Sequence, residues 1–141
     1  MKKKIYNLEA LGQVVSKIKK KSKTVVLCHG VFDLLHVGHI KHLKKAKALG
    51  DKLVVTLTAD NFVNKGPGKP IFNQKLRAEA IASLEMVDFV AVNDFPTAVK
   101  PIKYIKPNIY CKGKDYKNSK DDITGEIKNE IKELKKFGGK I

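Results

Sequence analysis

The sequence predicts an α/β fold in which helices cover both faces of a doubly wound, Rossmann-like parallel sheet of about five strands. Short β-branched runs alternate along the chain with longer stretches of helical pattern, as they do in successive βαβ units. The candidate strands are apolar almost throughout, which is typical of strands that are buried on both faces. The 141 residues contain no internal repeat and no Pro/Gly-rich linker, so we expect one domain with a core of its own.

Periodicity and capping residues define the predicted elements. In the first helix, Leu8, Leu11 and Val15 recur at helical spacing. The second helix stops at Gly50, and the third begins at Asn73, a residue type that caps helices. The predicted helices are residues 8–20, 39–49, 73–84, 97–105 and 123–137. The predicted strands are residues 24–28, 52–58, 88–92 and 108–111, and residues 140–141 resemble the start of a fifth.

The predicted sheet also predicts where a ligand binds. Doubly wound sheets bind ligands at the carboxyl ends of their strands, where the strand order reverses. Three segments would meet at that edge, residues 28–39, 58–71 and 112–116. We therefore expect the functional site among these loops.

The charge of the chain favours anionic partners. Lys and Arg number 29 against 14 Asp and Glu, which gives a formal net charge of +15 and a pI of about 9.8. Such an excess attracts nucleic acids, phosphorylated metabolites or acidic surfaces. Arg77 is the single arginine, whereas proteins that read nucleic-acid bases usually enlist arginine. We therefore expect lysine-rich, solvated faces and a general attraction for phosphates rather than a nucleic-acid site.

Two features favour a cytoplasmic protein that does not enter the membrane. No apolar run approaches the roughly 20 residues of a membrane-spanning helix, and the basic residues after Met1 are not followed by the apolar stretch of a signal peptide. The two cysteines, Cys28 and Cys111, lie in predicted strands and are too few for a disulfide framework. We expect both to be buried, reduced thiols.

The segment after the first strand, residues 28–39, has the most unusual composition. It leads from a strand into a helix N-terminus, where free backbone N–H groups and the helix dipole attract anions. Gly30 and Gly38 allow a ligand to approach the backbone closely. His36 and His39 stand three residues apart, so both rings can donate hydrogen bonds to one reacting phosphoryl group. The chain contains no Walker A loop and no G-x-G-x-x-G fingerprint.

Residues 30–39, Gly-Val-Phe-Asp-Leu-Leu-His-Val-Gly-His, resemble the G-x-F-D-x-x-H-x-G-H signature of the cytidylyltransferase-like nucleotidyltransferases. The resemblance continues through Leu49-Gly50-Asp51, Asp60 and Arg77, and so covers nearly the whole chain. Residues 107–116 are most similar to the adenylyltransferase domain of ADP-heptose synthesis. The next most similar family is glycerol-3-phosphate cytidylyltransferase, which shares the run Asp-Leu-Leu-His.

The resemblance implies the transfer of a nucleotidyl group from a nucleoside triphosphate to a phosphorylated acceptor, with release of pyrophosphate. ATP with a heptose-phosphate-like sugar 1-phosphate is the first expectation. CTP with glycerol 3-phosphate or a similar polyol phosphate is the alternative. Mg²⁺ would accompany the triphosphate, and the resemblance singles out no side chain of the protein as its ligand. A non-enzymatic module that binds nucleotides or nucleic acid is the remaining alternative.

The resemblance also implies roles for individual residues. His36 and His39 would stabilise the pentavalent α-phosphate. Arg77 would contact the substrate or triphosphate, or brace the site through a backbone carbonyl, and Asp33 would either brace the loop or act as a metal ligand. The residues expected at the nucleotide are Gly30, Val31, Phe32, His36, Gly38, His39, Gly113 and Asp115. The residues expected at the substrate or triphosphate are Lys65, Lys69 and Arg77.

Residues 1–141 are expected to be a single nucleotidyltransferase domain that lacks its last strand and helix. In the family a Ser/Thr-rich motif after the fifth strand grips the triphosphate, and it would come after Ile141. This predicts either a piece of a longer protein or impaired triphosphate binding. The resemblance further implies a homodimer, and fusion to or pairing with a sugar kinase.

Overall fold

Helices and strands alternate along the computed structural model, which describes residues 3–63, 70–111, 126–136 and 138–139. The helices in these ranges are α1 (Leu8–Lys20), α2 (Val37–Lys47), α3 (Gln74–Ala82), α4 (Val99–Ile105) and α5 (Glu126–Lys135), with a 3₁₀ turn at Asp60–Phe62. The strands are β1 (Val25–Gly30), β2 (Lys52–Thr58), β3 (Phe89–Asn93) and β4 (Ile109–Cys111).

The described strands form one parallel sheet in the order β3-β2-β1-β4. Val26 of β1 aligns with Leu53 of β2 on one side and with Ile109 of β4 on the other. The chain adds β2 and β3 on one side of β1 and then returns to place β4 on the other. The strand order therefore reverses between β1 and β4, and this is the point at which doubly wound sheets bind ligands.

Each face of the sheet has its own apolar core. Helices α1, α4 and α5 pack over Val25 and Leu27 on one face. Helices α2 and α3 pack over Val26 and Cys28 on the other, as the alternation of side chains along a strand requires. Together with the parallel sheet, these two layers confirm the predicted doubly wound α/β fold. None of the described helices is long and apolar enough to cross a membrane.

Most predicted boundaries agree with the structure within two or three residues. The bounds of α1 and β2 are as predicted, and Asn73 caps α3 through its side-chain oxygen. Helix α2 begins at Val37 rather than at residue 39, because His36 caps it. Strand β1 continues to Gly30, two residues beyond the prediction. The expected start of a fifth strand, residues 140–141, lies outside the described residues.

Candidate active site

The loop between β1 and α2 is held in place by a buried aromatic ring. Phe32 has a φ of 54°, in the left-handed region that residues other than glycine rarely adopt. Its ring lies over Gly30, where a Cβ atom would come within 3.1 Å of Phe32 Cε2. The same ring meets His39 edge-on, with 5.6 Å between the ring centroids. The glycine thus makes room for the ring that supports a predicted catalytic residue.

His36 and His39 cap the N-terminus of α2. The Nδ1 atom of His36 accepts a hydrogen bond from the backbone N–H of Gly38 at 2.9 Å. The backbone N–H of His36 donates to Nδ1 of His39 at 3.3 Å. Two imidazoles therefore form the reciprocal contacts of a capping box. Their ring centroids lie 4.0 Å apart, so the structure brings the two predicted catalytic side chains together.

The capping contacts determine which ring nitrogens carry a proton in the neutral imidazoles. A nitrogen that accepts a hydrogen bond holds no proton, so Nδ1 is unprotonated in both neutral rings and Nε2 carries the hydrogen. His36 is exposed, so its Nε2–H can donate to an anion. The N-terminus of α2 adds partial positive charge at the same place. This arrangement suits the binding and stabilisation of a phosphate group.

Asp33 ties the loop after β1 to the segment before α3. Its carboxylate oxygens accept hydrogen bonds from the backbone N–H groups of Ile71 at 2.8 Å and Phe72 at 2.9 Å. Charge-assisted bonds of this kind are about twice as strong as neutral ones. These contacts brace the loop, which is one of the two roles considered for Asp33.

Arg77 is bound entirely to protein groups, which corrects one of its two predicted roles. Its Nε donates to the carbonyl of Phe72 at 3.0 Å, and Nη1 donates to the carbonyls of Val31 at 2.9 Å and Thr58 at 2.7 Å. Its Nη2 pairs with Asp60 at 2.7 Å, and the side chain is 0% exposed. The guanidinium therefore braces the site, and burial prevents the direct phosphate contact that was the other expectation.

Further polar side chains lie at the carboxyl ends of β1, β2 and β3, and sequence reasoning did not single out Thr56, Thr58 and Asn93 among them. Nδ1 of His29 lies 2.9 Å from the hydroxyl of Thr56, and Nε2 lies 3.5 Å from that of Thr58. Asn93 is fully buried and donates to the carbonyl of Thr97 at 2.7 Å. Its Oδ1 atom has no hydrogen-bond partner within the part of the chain that the structure describes. Polar residues in otherwise apolar strands were the available signal.

The structure describes only some of the remaining predicted site residues. Lys65, Lys69, Gly113 and Asp115 lie outside the described residues. The carbonyl of Val31 accepts a hydrogen bond from Arg77, and the N–H of Gly38 donates one to His36. These backbone groups therefore hold the loop in its conformation. Among the described residues, no group of three or more His, Cys, Asp and Glu side chains could hold a metal ion.

The two cysteines lie opposite each other where β1 and β4 meet. Cys28 is aligned with Cys111, and both thiols are free. Cys28 is buried as predicted, whereas Cys111 is only half-buried. The pKa of the Cys28 thiol is raised far above its usual range, mainly by a hydrogen bond with Cys111 and to a smaller extent by burial. The same hydrogen bond lowers the pKa of Cys111, against an opposing effect of burial.

A family model described as cytidylyltransferase-like matches residues 27–139. The chain belongs to the cytidylyltransferase-like family. The match covers both histidines of the α2 cap and all four described strands except the first two residues of β1. It confirms the predicted enzyme class, a nucleotidyltransferase, at the level of the family, and it does not favour the alternative of a non-enzymatic binding module.

Curated relatives of this cytidylyltransferase-like chain are considerably longer proteins. It is 41% identical over 138 residues to the bifunctional protein HldE of Aliarcobacter butzleri (strain RM4018), covering 96% of this chain and 29% of the relative. It is 39% identical over 140 residues to the protein of the same name from Citrifermentans bemidjiense, covering 98% of this chain and 27% of the relative. The chain thus spans less than a third of the length of these relatives.

Solved structures share the fold of this cytidylyltransferase-like chain. The lipopolysaccharide core biosynthesis protein of Thermoplasma volcanium GSS1 superposes with a TM-score of 0.67 at 31% identity, covering 84% of this chain and 92% of the other. Pantoate-beta-alanine ligase of Francisella tularensis superposes with a TM-score of 0.68 at 17% identity, covering 99% of this chain and 66% of the other. The second likeness concerns the fold alone.

Proposed function

We propose that this chain is an adenylyltransferase domain that transfers AMP from Mg-ATP to a sugar 1-phosphate of heptose-phosphate type and releases pyrophosphate. The observation that carries the proposal is the pair of imidazoles, His36 and His39, at the N-terminus of α2 in a cytidylyltransferase-like domain. ATP and a sugar phosphate are supported by the HldE relatives and by the similarity of residues 107–116 to ADP-heptose adenylyltransferases. The lipopolysaccharide core protein supports the same class of acceptor.

In the proposed reaction an oxygen of the acceptor phosphate attacks the α-phosphorus of ATP. The new oxygen–phosphorus bond forms as the bond from the α-phosphorus to the bridging oxygen breaks, and pyrophosphate leaves with the electron pair. His36 and His39 donate through Nε2–H to the oxygens of the α-phosphate, and the positive end of α2 adds to the stabilisation. No covalent enzyme intermediate is needed, because positioning and charge neutralisation supply the catalysis.

Arg77 and Asp33 have positioning roles in this proposal. Arg77 bonds to the carbonyl of Val31, and Asp33 bonds to the backbone before α3. Both contacts hold the loop that presents His36 and His39, so the two rings are placed before the nucleotide arrives. Such pre-organisation lowers the cost of reaching the transition state.

The same proposal extends to partners and compartment. The bifunctional relatives continue well beyond the matched region, which supports a second activity, such as a sugar kinase, working beside this domain. Homodimerisation stays a prediction. Free thiols in the described chain suit a reducing compartment such as the cytoplasm.

Release of pyrophosphate by the full chain, with Mg-ATP and heptose 1-phosphate, tests the proposed function. We expect His36→Ala to lower kcat by about 10²–10³-fold, because one pre-organised donor to the transition state is lost. His36→Asn is the matched control, since asparagine caps helices well but carries no imidazole. The asparagine variant should unfold at the wild-type temperature and have a kcat as low as that of the alanine variant. Wild-type kcat in the asparagine variant would show that the His36 ring only caps α2.

A further inference from the structure

Cys28 and Cys111 lie at the point where the strand order reverses. They are aligned partners in the parallel strands β1 and β4, so their side chains project from the same face of the sheet. That face is the one covered by α2 and α3. The chain contains these two cysteines and no others.

The backbone geometry is compatible with a disulfide bond. Neighbouring strands lie about 4.8 Å apart, which falls within the Cα separations that disulfides span. The two Cβ atoms must approach to roughly 3.8 Å for the bond to form, so the ends of β1 and β4 have to tilt toward each other. A bond formed under such strain is more easily reduced than a structural disulfide.

The two thiols differ in accessibility and in acidity. Cys111 is half-buried and its pKa is lowered by the hydrogen bond from Cys28, so it has the greater thiolate character. Cys28 is buried and its pKa is raised. Cys111 is therefore the sulfur that an oxidant in solution reaches. Cys28 is placed to attack the mixed disulfide that forms on Cys111.

We propose that Cys28 and Cys111 are a redox-active pair that closes to a reversible disulfide across β1 and β4, with a low-molecular-weight disulfide such as oxidised glutathione as the oxidant. The Cys111 thiolate attacks one sulfur of the oxidant, forms a mixed disulfide and releases one thiolate. The Cys28 thiol then gives its proton to the released thiolate and attacks Sγ of Cys111, which releases the second thiolate. Two protein thiols become one disulfide, and the oxidant is reduced to two thiols.

Formation of the disulfide alters the nucleotide site, and this part of the inference rests on the proposed function. Gly30, over which the Phe32 ring packs, comes two residues after Cys28. Tilting the end of β1 moves Gly30 and the Phe32 ring from the positions they hold in the reduced chain. A displacement of about 1 Å at such a site is costly, so the oxidised chain should bind Mg-ATP about tenfold more weakly.

The disulfide is tested by mass, independently of any activity. The reduced full chain is incubated with oxidised glutathione under native conditions, then denatured in guanidinium chloride at neutral pH in the presence of excess maleimide. We expect an intact mass lower by two hydrogen atoms, no maleimide adduct, and recovery of both thiols with dithiothreitol. Two maleimide adducts, a persistent glutathione adduct or a disulfide-linked dimer would each overturn the proposal.

Single variants test the assigned order of attack. Cys28→Ala should accumulate one glutathione on Cys111, because the resolving thiol is missing. Cys111→Ser should stay unmodified, because Cys28 is buried. Glutathione on Cys28 at the wild-type rate would reverse the assigned roles. Thermal unfolding of both variants shows whether they are folded during the assay.

Titration of Mg-ATP into the reduced and the oxidised chain tests the consequence for the site. If Mg-ATP binds about tenfold more weakly after oxidation, and dithiothreitol restores the affinity, the disulfide is coupled to the site. Equal affinities in both states would overturn the coupling to the site while the mass result stands. Binding in neither state would instead count against the proposed function.

Discussion

At Arg77 a single side chain connects four separate segments of the chain. Its partners are the loop after β1 (Val31), the end of β2 (Thr58), the 3₁₀ turn (Asp60) and the segment before α3 (Phe72). A guanidinium has five donors in a fixed plane, whereas an ammonium group is a compact point charge on a flexible stem. This difference explains why an arginine stands here in a chain that otherwise uses lysine.

Arg77→Lys tests this explanation at the scale of one residue. We expect the free energy of unfolding to fall by about 2–4 kcal/mol, because at least two buried acceptors lose their donor. The ion pair with Asp60 contributes little to this figure, since that carboxylate is 39% exposed. Urea unfolding of both proteins measures the difference.

The exposed Lys75, on the same helix, provides the control for the Arg77 variant. Lys75→Ala should change stability by no more than about 0.5 kcal/mol. If Arg77→Lys were as stable as Lys75→Ala, the network around Arg77 would not contribute to folding.

At the scale of elements, α1 and α4 are packed unusually closely through Gly12. A Cβ atom at this position would lie 2.8 Å from the carbonyl oxygen of Tyr104. The obstacle is backbone, which cannot rotate away as the end of a side chain can. The glycine thus sets the distance between two of the helices that cover the α1, α4 and α5 face.

We expect Gly12→Ala to destabilise the chain by about 1 kcal/mol, although alanine is the better helix former. Overpacking lowers the free energy of unfolding by roughly 1–3 kcal/mol. The higher helix propensity of alanine offsets about 1 kcal/mol of this loss. Thermal or urea unfolding measures the net effect. Ser16→Ala, on an exposed position of α1, is the control and should be neutral or slightly stabilising. A stabilised Gly12→Ala protein would mean that α1 and α4 can separate freely.

At the scale of the whole molecule, the chain carries a net charge of +15, and the candidate site lies at the carboxyl edge of the sheet. The charge attracts any polyphosphate, whereas the choice between ATP and CTP depends on contacts with the base. Binding of a nucleotide and nonspecific attraction of an anion must therefore be separated in any ligand test.

Thermal unfolding with Mg-ATP and Mg-CTP in parallel makes this separation. A ligand at 100 times its Kd should add about 2.7 kcal/mol, which corresponds to several degrees in a domain of this size. We expect the larger shift with Mg-ATP. Magnesium tripolyphosphate is the matched control, because it presents the phosphates without a base. A larger shift with Mg-CTP would contradict the proposed nucleotide, and equal shifts in all three would reveal an effect of charge alone.

The sequence predicted the elements well because local signals specify them. Apolar periodicity defined α1, and a capping asparagine marked the start of α3. The histidine loop was recognised for the same reason, since a contiguous run of residues leads from β1 into α2. The second role of His36 as a helix cap was missed, because histidine is not among the residue types that usually cap helices.

The contacts between distant segments could not be predicted in this way. His29 is 27 residues from Thr56 along the chain, and Arg77 is 46 residues from Val31. Such pairs depend on how strands align, which no local pattern reports. Burial of Arg77 also decided between its two predicted roles, because a side chain with 0% exposure cannot reach a substrate phosphate.

By itself the sequence determined the alternation of strands and helices, the apolar faces that build the two cores, and the histidine loop at a strand-to-helix junction. These are properties of spacing and residue type within short windows. Only the tertiary structure decided that Arg77 is a brace and that Cys28 faces Cys111. Both results follow from the order β3-β2-β1-β4, because a strand order determines which distant residues become neighbours.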